Sequence, residues 1–305
     1  MIWQTSRFAI DLTRPQVMGI VNVTPDSFSD GGLRSTTASA LAHCERLLKE
    51  GADILDIGGE STRPGALPVP AQEELARVLP VLESAVKLGV PISLDTYKPQ
   101  VMRAALDLGV DIINDVWALR WLDEALPADQ LTATQVVVRH ASCGVCLMHM
   151  HGEPSTMQRS TMQGDAVVPV LSFLGRAARA LKQQGVAKER IAVDPGIGFG
   201  KTVQQNFSLL SRQRQLLVLG YPVVVGWSRK SSLAALISTS LSNVARLDNQ
   251  SRLVPSVAAA LLAVERGAHV VRVHDVRETV QALKLLASLE PVAAPAEAPA
   301  ARINE

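Results

Sequence analysis

Several apolar runs in this chain end in side chains that could do chemistry. Met18-Gly-Ile-Val-Asn22 leads into Val-Thr-Pro25-Asp-Ser-Phe28-Ser-Asp30, and Asp53-Ile-Leu-Asp56-Ile-Gly58-Gly59-Glu60 leads into Ser-Thr62-Arg63-Pro64-Gly65. Further along come Asp194-Pro195-Gly196-Ile197-Gly198-Phe199-Gly200-Lys201 and Gly226-Trp-Ser228-Arg229-Lys230-Ser231. Two more runs close on Asp95 and Asn114. Acid and amide groups set among apolar residues are costly without a polar partner. A heterocycle rich in donors and acceptors would supply one, and so would a buried structural network. Asp194 sits at a run's end beside a flexible turn, as a helix cap or as a ligand group. Lys230 reads either as a solvated charge or as a cation placed for ligand contact. Arg272 and His274 are two apart, hence on one side of a strand, where they make poor core and good anion-binding material.

The elements that would position these groups are short β-branched or leucine-rich runs, each followed by an amphipathic stretch. The runs lie near Val17–Val21, Asp53–Ile57, Pro91–Asp95, Asp111–Val116, Gly144–Met148, Arg190–Asp194, Pro222–Gly226 and His269–Val273. Helical patterns include Ala38–Glu50, Ala71–Leu88, Lys98–Leu108, Asp165–Gln184, Ser256–Arg266 and Arg277–Leu289. Gly51, Gly89, Gly109, Gly185, Gly220 and Gly267 stand between helix and next strand, where a left-handed stop is needed. Strand alternating with helix predicts a parallel sheet. Eight such units fit one (β/α)8 TIM barrel with its active site at the C-terminal ends of the strands; a doubly wound sheet would leave strands over. The expected domain is residues 1–290, followed by an Ala/Pro-rich tail, 291–305, of disordered character. Residues 117–143 read as an enlarged fourth crossover in which Val136-Val-Val138 mimics a strand. Phe8–Leu12 reads as a small hairpin strand plugging the barrel's lower end.

Composition narrows the classes. The 305 residues are 47% apolar with a formal net charge of +1, ample for a core and without a basic run for nucleic acid. No 18-residue apolar stretch suggests a membrane span, and the N-terminus lacks a secretory core. Three cysteines make no disulfide framework. The expectation is a cytoplasmic protein with no nucleic-acid or membrane partner. The turn after Asp194 fails both the Walker A spacing, with Pro195 where a glycine belongs, and the dinucleotide fingerprint, with Lys201 in place of the third glycine. Cys143-Gly-Val-Cys146 has redox spacing but leads into a strand instead of opening a helix. His149-Met-His151 with Glu153 lacks a third zinc ligand; His149 is expected to hydrogen-bond near the site, and His151 to be peripheral.

Asn22-Val-Thr-Pro-Asp-Ser-Phe-Ser-Asp, Gly-Gly-Glu-Ser-Thr-Arg-Pro-Gly and Ser-Arg-Lys-Ser, in this order, resemble the dihydropteroate synthase family of pterin-binding barrels, from about Val17 to about Leu289. The resemblance implies a transferase of folate biosynthesis. It would join 6-hydroxymethyl-7,8-dihydropterin diphosphate to p-aminobenzoate, giving 7,8-dihydropteroate and pyrophosphate. It assigns Asp194 to the pterin's two-donor edge, which suits a bidentate carboxylate, with Asp95, Asn114, Lys230 and Arg272 around the ring and Met148 and Phe199 as apolar walls. Asn22, Arg63, Arg272 and His274 would bind pyrophosphate, Asn22 also ligating Mg²⁺, an ion that keeps waters and leans on substrate phosphates. Phe28, Thr62, Arg63, Pro64, Lys230 and Ser231 would form the p-aminobenzoate pocket, which loops Thr24–Thr37 and Arg63–Pro70 would fold over the site to complete. Asp95, Lys230, Arg272 and His274 would be the catalytic groups. A homodimer and inhibition by sulfonamides follow from the same resemblance.

Two other readings remain open on the residues alone. A methyltetrahydrofolate-dependent corrinoid methyltransferase would share the Asp–Asn–Asp pterin grip but has no use for a pyrophosphate site. A non-catalytic pterin-binding paralogue would keep the motifs without turnover. The Val254-Pro255-Ser256 opening of a late helix and the enlarged fourth crossover depart from the family pattern, both away from the implied site.

Overall fold

The computed structural model describes residues 1–24, 32–63, 65–122, 130–154, 156–157, 159–238 and 252–289. A hairpin of β1 (Ile2–Gln4) and β2 (Ala9–Asp11) opens the chain. Eight parallel strands follow: β3 (Gln16–Asn22), β4 (Ile54–Gly58), β5 (Ile92–Asp95), β6 (Ile112–Asp115), β7 (Gly144–Met148), β8 (Ile191–Asp194), β9 (Val224–Val225) and β10 (Val270–Val273). They pair in the order β8-β7-β6-β5-β4-β3-β10-β9. A parallel bridge between Val193 and Val223 joins the two ends, so the sheet is a closed (β/α)8 barrel and the doubly wound alternative is excluded. Each strand lies within one or two residues of the run read from the sequence.

The helices are α1 (Gly32–Glu50), α2 (Ala71–Ala85), α3 (Pro99–Asp107), α4 (Ala133–Arg139), α5 (Val167–Gln183), α6 (Val203–Ser211), α7 (Ser231–Ser238), α8 (Leu253–Glu265) and α9 (Val276–Ala287). The six glycines read as left-handed stops all take positive φ, between 68° and 101°. Val136–Val138 belongs to α4, as expected, and Thr132 and Gln135 cap its start reciprocally. One expectation changes: α1 begins at Gly32 and not at Ala38, so the second half of the supposed Thr24–Thr37 loop is helix. Its Gly, Ser and Thr residues have low helix propensity and concealed that first turn. Residues 25–31, with Phe28, and also Pro64 and the tail from 290, lie outside the described residues.

Two of the three apolar clusters among the described residues hold this frame. The larger fills the space between the strands' outer faces and the helices, with Leu47, Leu82, Met102 and Val170 fully buried in it. Side chains of that size contribute about 1.5–3 kcal/mol each when removed from water. The smaller occupies the barrel axis: Met18, Ile54, Ile112, Cys146, Ala192, Val224 and Val270 meet Trp3, Ile10 and Leu12 of the hairpin. Trp3 donates its indole N–H to the Arg190 carbonyl at 3.0 Å, so the expected plug is built in. Period-two alternation then decides what happens at the other end: the next inward residues along the same strands are Asp56, Asn114, Asp194 and Arg272.

Candidate active site

The upper ends of the strands enclose a cavity of about 280 Å³. It is lined by Asn22, Thr62, Arg63, Asp95, Asn114, Met148, Asp194, Phe199, Lys230, Ser231, Arg272 and His274. Every candidate residue from the sequence that falls among the described residues therefore faces one space; Phe28 and Pro64 fall outside them.

At its floor Arg272 crosses the barrel from β10. Its Nε donates to Asp56 Oδ2 and its Nη2 to Asp95 Oδ2, both at 2.6 Å. Burial works against the Arg272 charge, but Asp56 and Asp95 overcome it and hold the guanidinium above its usual range. Asn114 donates to the same Asp56 oxygen at 3.2 Å. The second oxygens, Asp56 Oδ1 and Asp95 Oδ1, are buried and have no hydrogen-bond partner. An acceptor left that way costs about 1–3 kcal/mol; Asp95 lines the cavity, where a bound molecule could supply the donor. Loss of water pushes the Asp95 carboxyl up to about 7, against the pull of Arg272. Asp194 accepts the Gly196 N–H at 2.6 Å, and its pKa is raised chiefly by burial.

The turn after Asp194 is held from beneath. Lys201 is buried and donates to the carbonyls of His149, Gly196 and Phe199 at 3.2, 2.8 and 3.0 Å. Burial lowers its pKa to about 7, with Asp194 opposing. Gly196 has φ +67°, and a Cβ there would lie 1.9 Å from the His149 carbonyl oxygen, so no other residue fits. The Gly-Lys-Thr sequence that imitated a phosphate loop is thus a backbone clamp. Above it, Lys230 lies over the Phe199 ring, 4.3 Å from its centroid. Burial, followed by Arg272, draws Lys230 down to about 8 while Asp194 and Asp95 oppose.

His274 and Ser228 form a pair at the rim. The Ser228 hydroxyl accepts the His274 backbone N–H at 3.1 Å and lies 3.0 Å from Nδ1. Burial, with Arg229, Arg272, Arg63 and Lys230 nearby, lowers the His274 pKa well below its usual value. These surroundings favour the neutral imidazole, which serves as a hydrogen-bonding group. Arg229 takes φ 58° and pairs with Asp275 at 2.6 Å, which fixes the turn that presents Lys230.

His149 hydrogen-bonds near the site, as expected, but through its backbone: its N–H donates to the Asp194 carbonyl at 3.0 Å and its carbonyl accepts from Lys201. Its ring packs edge-on against Phe173, centroids 5.0 Å apart, and its Nδ1 is buried without a partner. Residues in a strand alternate faces, and Met148 takes the inward one. Cys143 and Cys146 are free and buried, and burial raises both thiols. Among the described residues no three His, Cys, Asp or Glu side chains gather as a metal site, and no helix is long and apolar enough to cross a membrane.

Sequence reasoning missed Asp56, Lys201 and Glu60 as site residues. For Asp56 a signal existed: it stands two from Ile54 and two from Gly58 on an otherwise apolar strand. Lys201 and Glu60 act through contacts distant in sequence, which no local pattern announces.

Residues 18–274 match the model of the family described as pterin binding enzyme. The chain is 50% identical over 286 residues to a dihydropteroate synthase of Neisseria meningitidis serogroup C, covering 93% of this chain and 95% of that one. Burkholderia cenocepacia dihydropteroate synthase, solved with 7,8-dihydropteroate, superposes with a TM-score of 0.79 at 46% identity over 94% of this chain and 95% of that chain. The Yersinia pestis dihydropteroate synthase, in a sulfonamide drug complex, gives 0.83 at 40% identity over 94% and 98%.

Proposed function

Because the chain belongs to the pterin-binding enzyme family and, within it, to the dihydropteroate synthases, we propose that its cavity joins 6-hydroxymethyl-7,8-dihydropterin diphosphate to p-aminobenzoate. The products are 7,8-dihydropteroate and pyrophosphate. The observation that carries this reading is the floor of the cavity. Asp194 and Asp95 line it as acceptors, the Oδ1 of Asp95 buried without a partner, and a pterin edge is a row of N–H donors. Asn114 adds an amide beside them, with Met148 and Phe199 as walls.

In the reaction the bond between the pterin's methylene carbon and the diphosphate oxygen breaks, its electron pair leaving with pyrophosphate. The arylamine nitrogen bonds to that carbon and gives its proton to solvent. The amine is already neutral at pH 7, so no strong general base is required. Charge grows on the departing oxygens, and donors fixed before reaction are the largest source of rate. Arg63 and His274 line the cavity and would meet that charge. The Ser228 hydroxyl can give its hydrogen to Nδ1 of His274 and leave Nε2 to carry the ring proton. The Nε and Nη2 of Arg272 are committed to carboxylates, so its part would be to keep Asp56 and Asp95 in place. The methylene carbon becomes electron-poor, and Asp95 is placed to stabilise it. Lys230 above Phe199 would meet the pterin's polar edge, while Thr62, Arg63 and Ser231 would hold the benzoate.

For Mg²⁺ the donor set fits an ion carried mainly by substrate. Asn22 offers one oxygen at a strand end facing the cavity, and Mg²⁺ usually takes one or two protein ligands plus waters and phosphates. Bound there, it would neutralise charge on the diphosphate. Cytoplasmic residence and a homodimer complete the proposal. Leu236, Val254 and Leu262 of α7 and α8 are 53%, 75% and 39% exposed, apolar surface suited to a second copy. The corrinoid methyltransferase is not favoured, since it leaves Arg63 and His274 without a task.

The test is pyrophosphate release by the purified protein given the pterin diphosphate and Mg²⁺. Release should rise with p-aminobenzoate, yield dihydropteroate, and be inhibited by sulfonamides in competition with p-aminobenzoate. Tight pterin binding without release would transfer the weight to a non-catalytic role.

A further inference from the structure

Beside the cavity a second buried cation sits between two carboxylates. Lys98, in the turn between β5 and α3, pairs with Glu60 and with Glu74 of α2, the latter at 2.5 Å. The Tyr97 hydroxyl donates to the other oxygen of Glu60 at 2.9 Å, and the Lys98 ammonium lies 4.5 Å from the Tyr97 ring centroid. Lys98 and Glu74 are 4% and 0% exposed. Burial raises the Glu74 pKa, against Lys98. Two carboxylates on one ammonium are a weak source of stability, because the loss of water offsets much of their attraction.

What distinguishes this cluster is where it takes hold. Glu60 is the first residue of Glu60-Ser61-Thr62-Arg63, all four of which line the cavity. The residue before it is pinned as well. A Cβ on Gly59 would lie 2.7 Å from Val78 and 3.0 Å from the Glu74 side chain, and the Gly59 carbonyl accepts from Arg77 at 2.8 Å. Beyond Glu60 the ties among the described residues are backbone or long: Arg63 N–H to Ser61 Oγ at 3.5 Å, Ala66 N–H to the Arg63 carbonyl at 3.0 Å and Gly65 N–H to the Pro154 carbonyl at 3.3 Å. Among the described residues, the Glu60 carboxylate is the buried anchor of this segment. That carboxylate also faces the space assigned to an anionic benzoate, and Lys98 is the charge that offsets it.

We propose that Lys98 and Tyr97 are positioning residues for the second substrate: by fixing and neutralising Glu60 they set Thr62 and Arg63 to receive an arylamine carboxylate. The proposal rests on the reaction assigned above. Its test is a comparison of Glu60→Gln, Tyr97→Phe and Glu74→Gln with the parent protein. Initial rates are measured against each substrate, thermal unfolding is followed, and amide hydrogen exchange is read over residues 60–66 of the free protein.

Glu60→Gln should raise the KM for p-aminobenzoate about tenfold, leave that for the pterin diphosphate within about twofold, and speed exchange over 60–66. Tyr97→Phe, losing one hydrogen bond and no charge, should do the same by about threefold. Glu74→Gln holds Lys98 from the helix side and should lower the unfolding temperature without moving either KM or the exchange. Lower unfolding temperatures with both KM values and the exchange unmoved in Glu60→Gln would overturn the proposal. So would equal rises in both KM values across all three variants. If the parent protein shows no turnover, the assigned reaction fails, while exchange over 60–66 still decides whether Glu60 holds the segment.

Discussion

Met18, Ile54, Ile112, Cys146, Ala192, Val224 and Val270 face the barrel axis in one layer. Two residues further along the same strands stand Ile20, Asp56, Asn114, Met148, Asp194, Gly226 and Arg272. The backbone treats the layers alike; the side chains do not. The lower layer closes on itself, with the hairpin's Trp3 seated in it and its indole N–H satisfied. The upper layer cannot close. After Arg272, Asn114, Asp56 and Asp95 have bonded one another, two buried carboxylate oxygens remain without a donor. Burial, helped by the nearby charges of Asp56, Glu74 and Asp115, pushes Asp95 up to about 7 against the pull of an adjacent arginine. One barrel thus holds a layer whose energy is complete and a layer whose energy waits for a ligand.

That contrast is open to attack at the lower layer first. Ile54→Ala removes a fully buried side chain from it and should cost about 2–5 kcal/mol of stability. Both KM values and kcat should stay near those of the parent, as read by denaturant unfolding beside steady-state rates. A kinetic defect matching the stability loss would mean that the layers are one unit.

A smaller effect sharpens the comparison on the barrel's outer side. His149 is buried against Phe173 with its pKa lowered to about 3 from 6.5, chiefly by loss of water. Its folded pKa is depressed, so between pH 6.5 and 3 the unfolded chain binds a proton that the folded one refuses. Stability is lost as pH falls through that window, at about 1.4 kcal/mol per pH unit. Urea unfolding at pH 6.5 and pH 5 should therefore show His149→Leu losing roughly 2 kcal/mol less than the parent does. Equal losses would place the proton uptake elsewhere.

The barrel itself was legible because strand, helix and glycine stop repeat along the chain in the order that a closed sheet needs. What escaped was short or non-local. The α6 and α7 helices are nine and eight residues long, brief for a periodic signal, although Thr202 and Gln205 form a capping box at the start of α6. His149 was expected to hydrogen-bond near the site; its backbone does, while alternation sends its ring outward. Asp194 and Asn114 were visible as polar endings to apolar runs. Asp56 was hidden inside such a run, and its value depends on Arg272, 216 residues away. Lys201 showed the letters of a phosphate loop while its ammonium is spent on three carbonyls.

The central claim, that the upper layer is built for a ligand and not for the fold, is tested most directly by titrating pterin into Asp194→Asn while following its thermal unfolding. Asparagine keeps the size and can still accept the Gly196 N–H. It also removes a carboxylate whose pKa burial has raised. The account predicts pterin affinity lower by about a hundredfold or more with an unfolding temperature no lower than the parent's. Unchanged affinity, or a loss of affinity accompanied by an equal loss of stability, would contradict it.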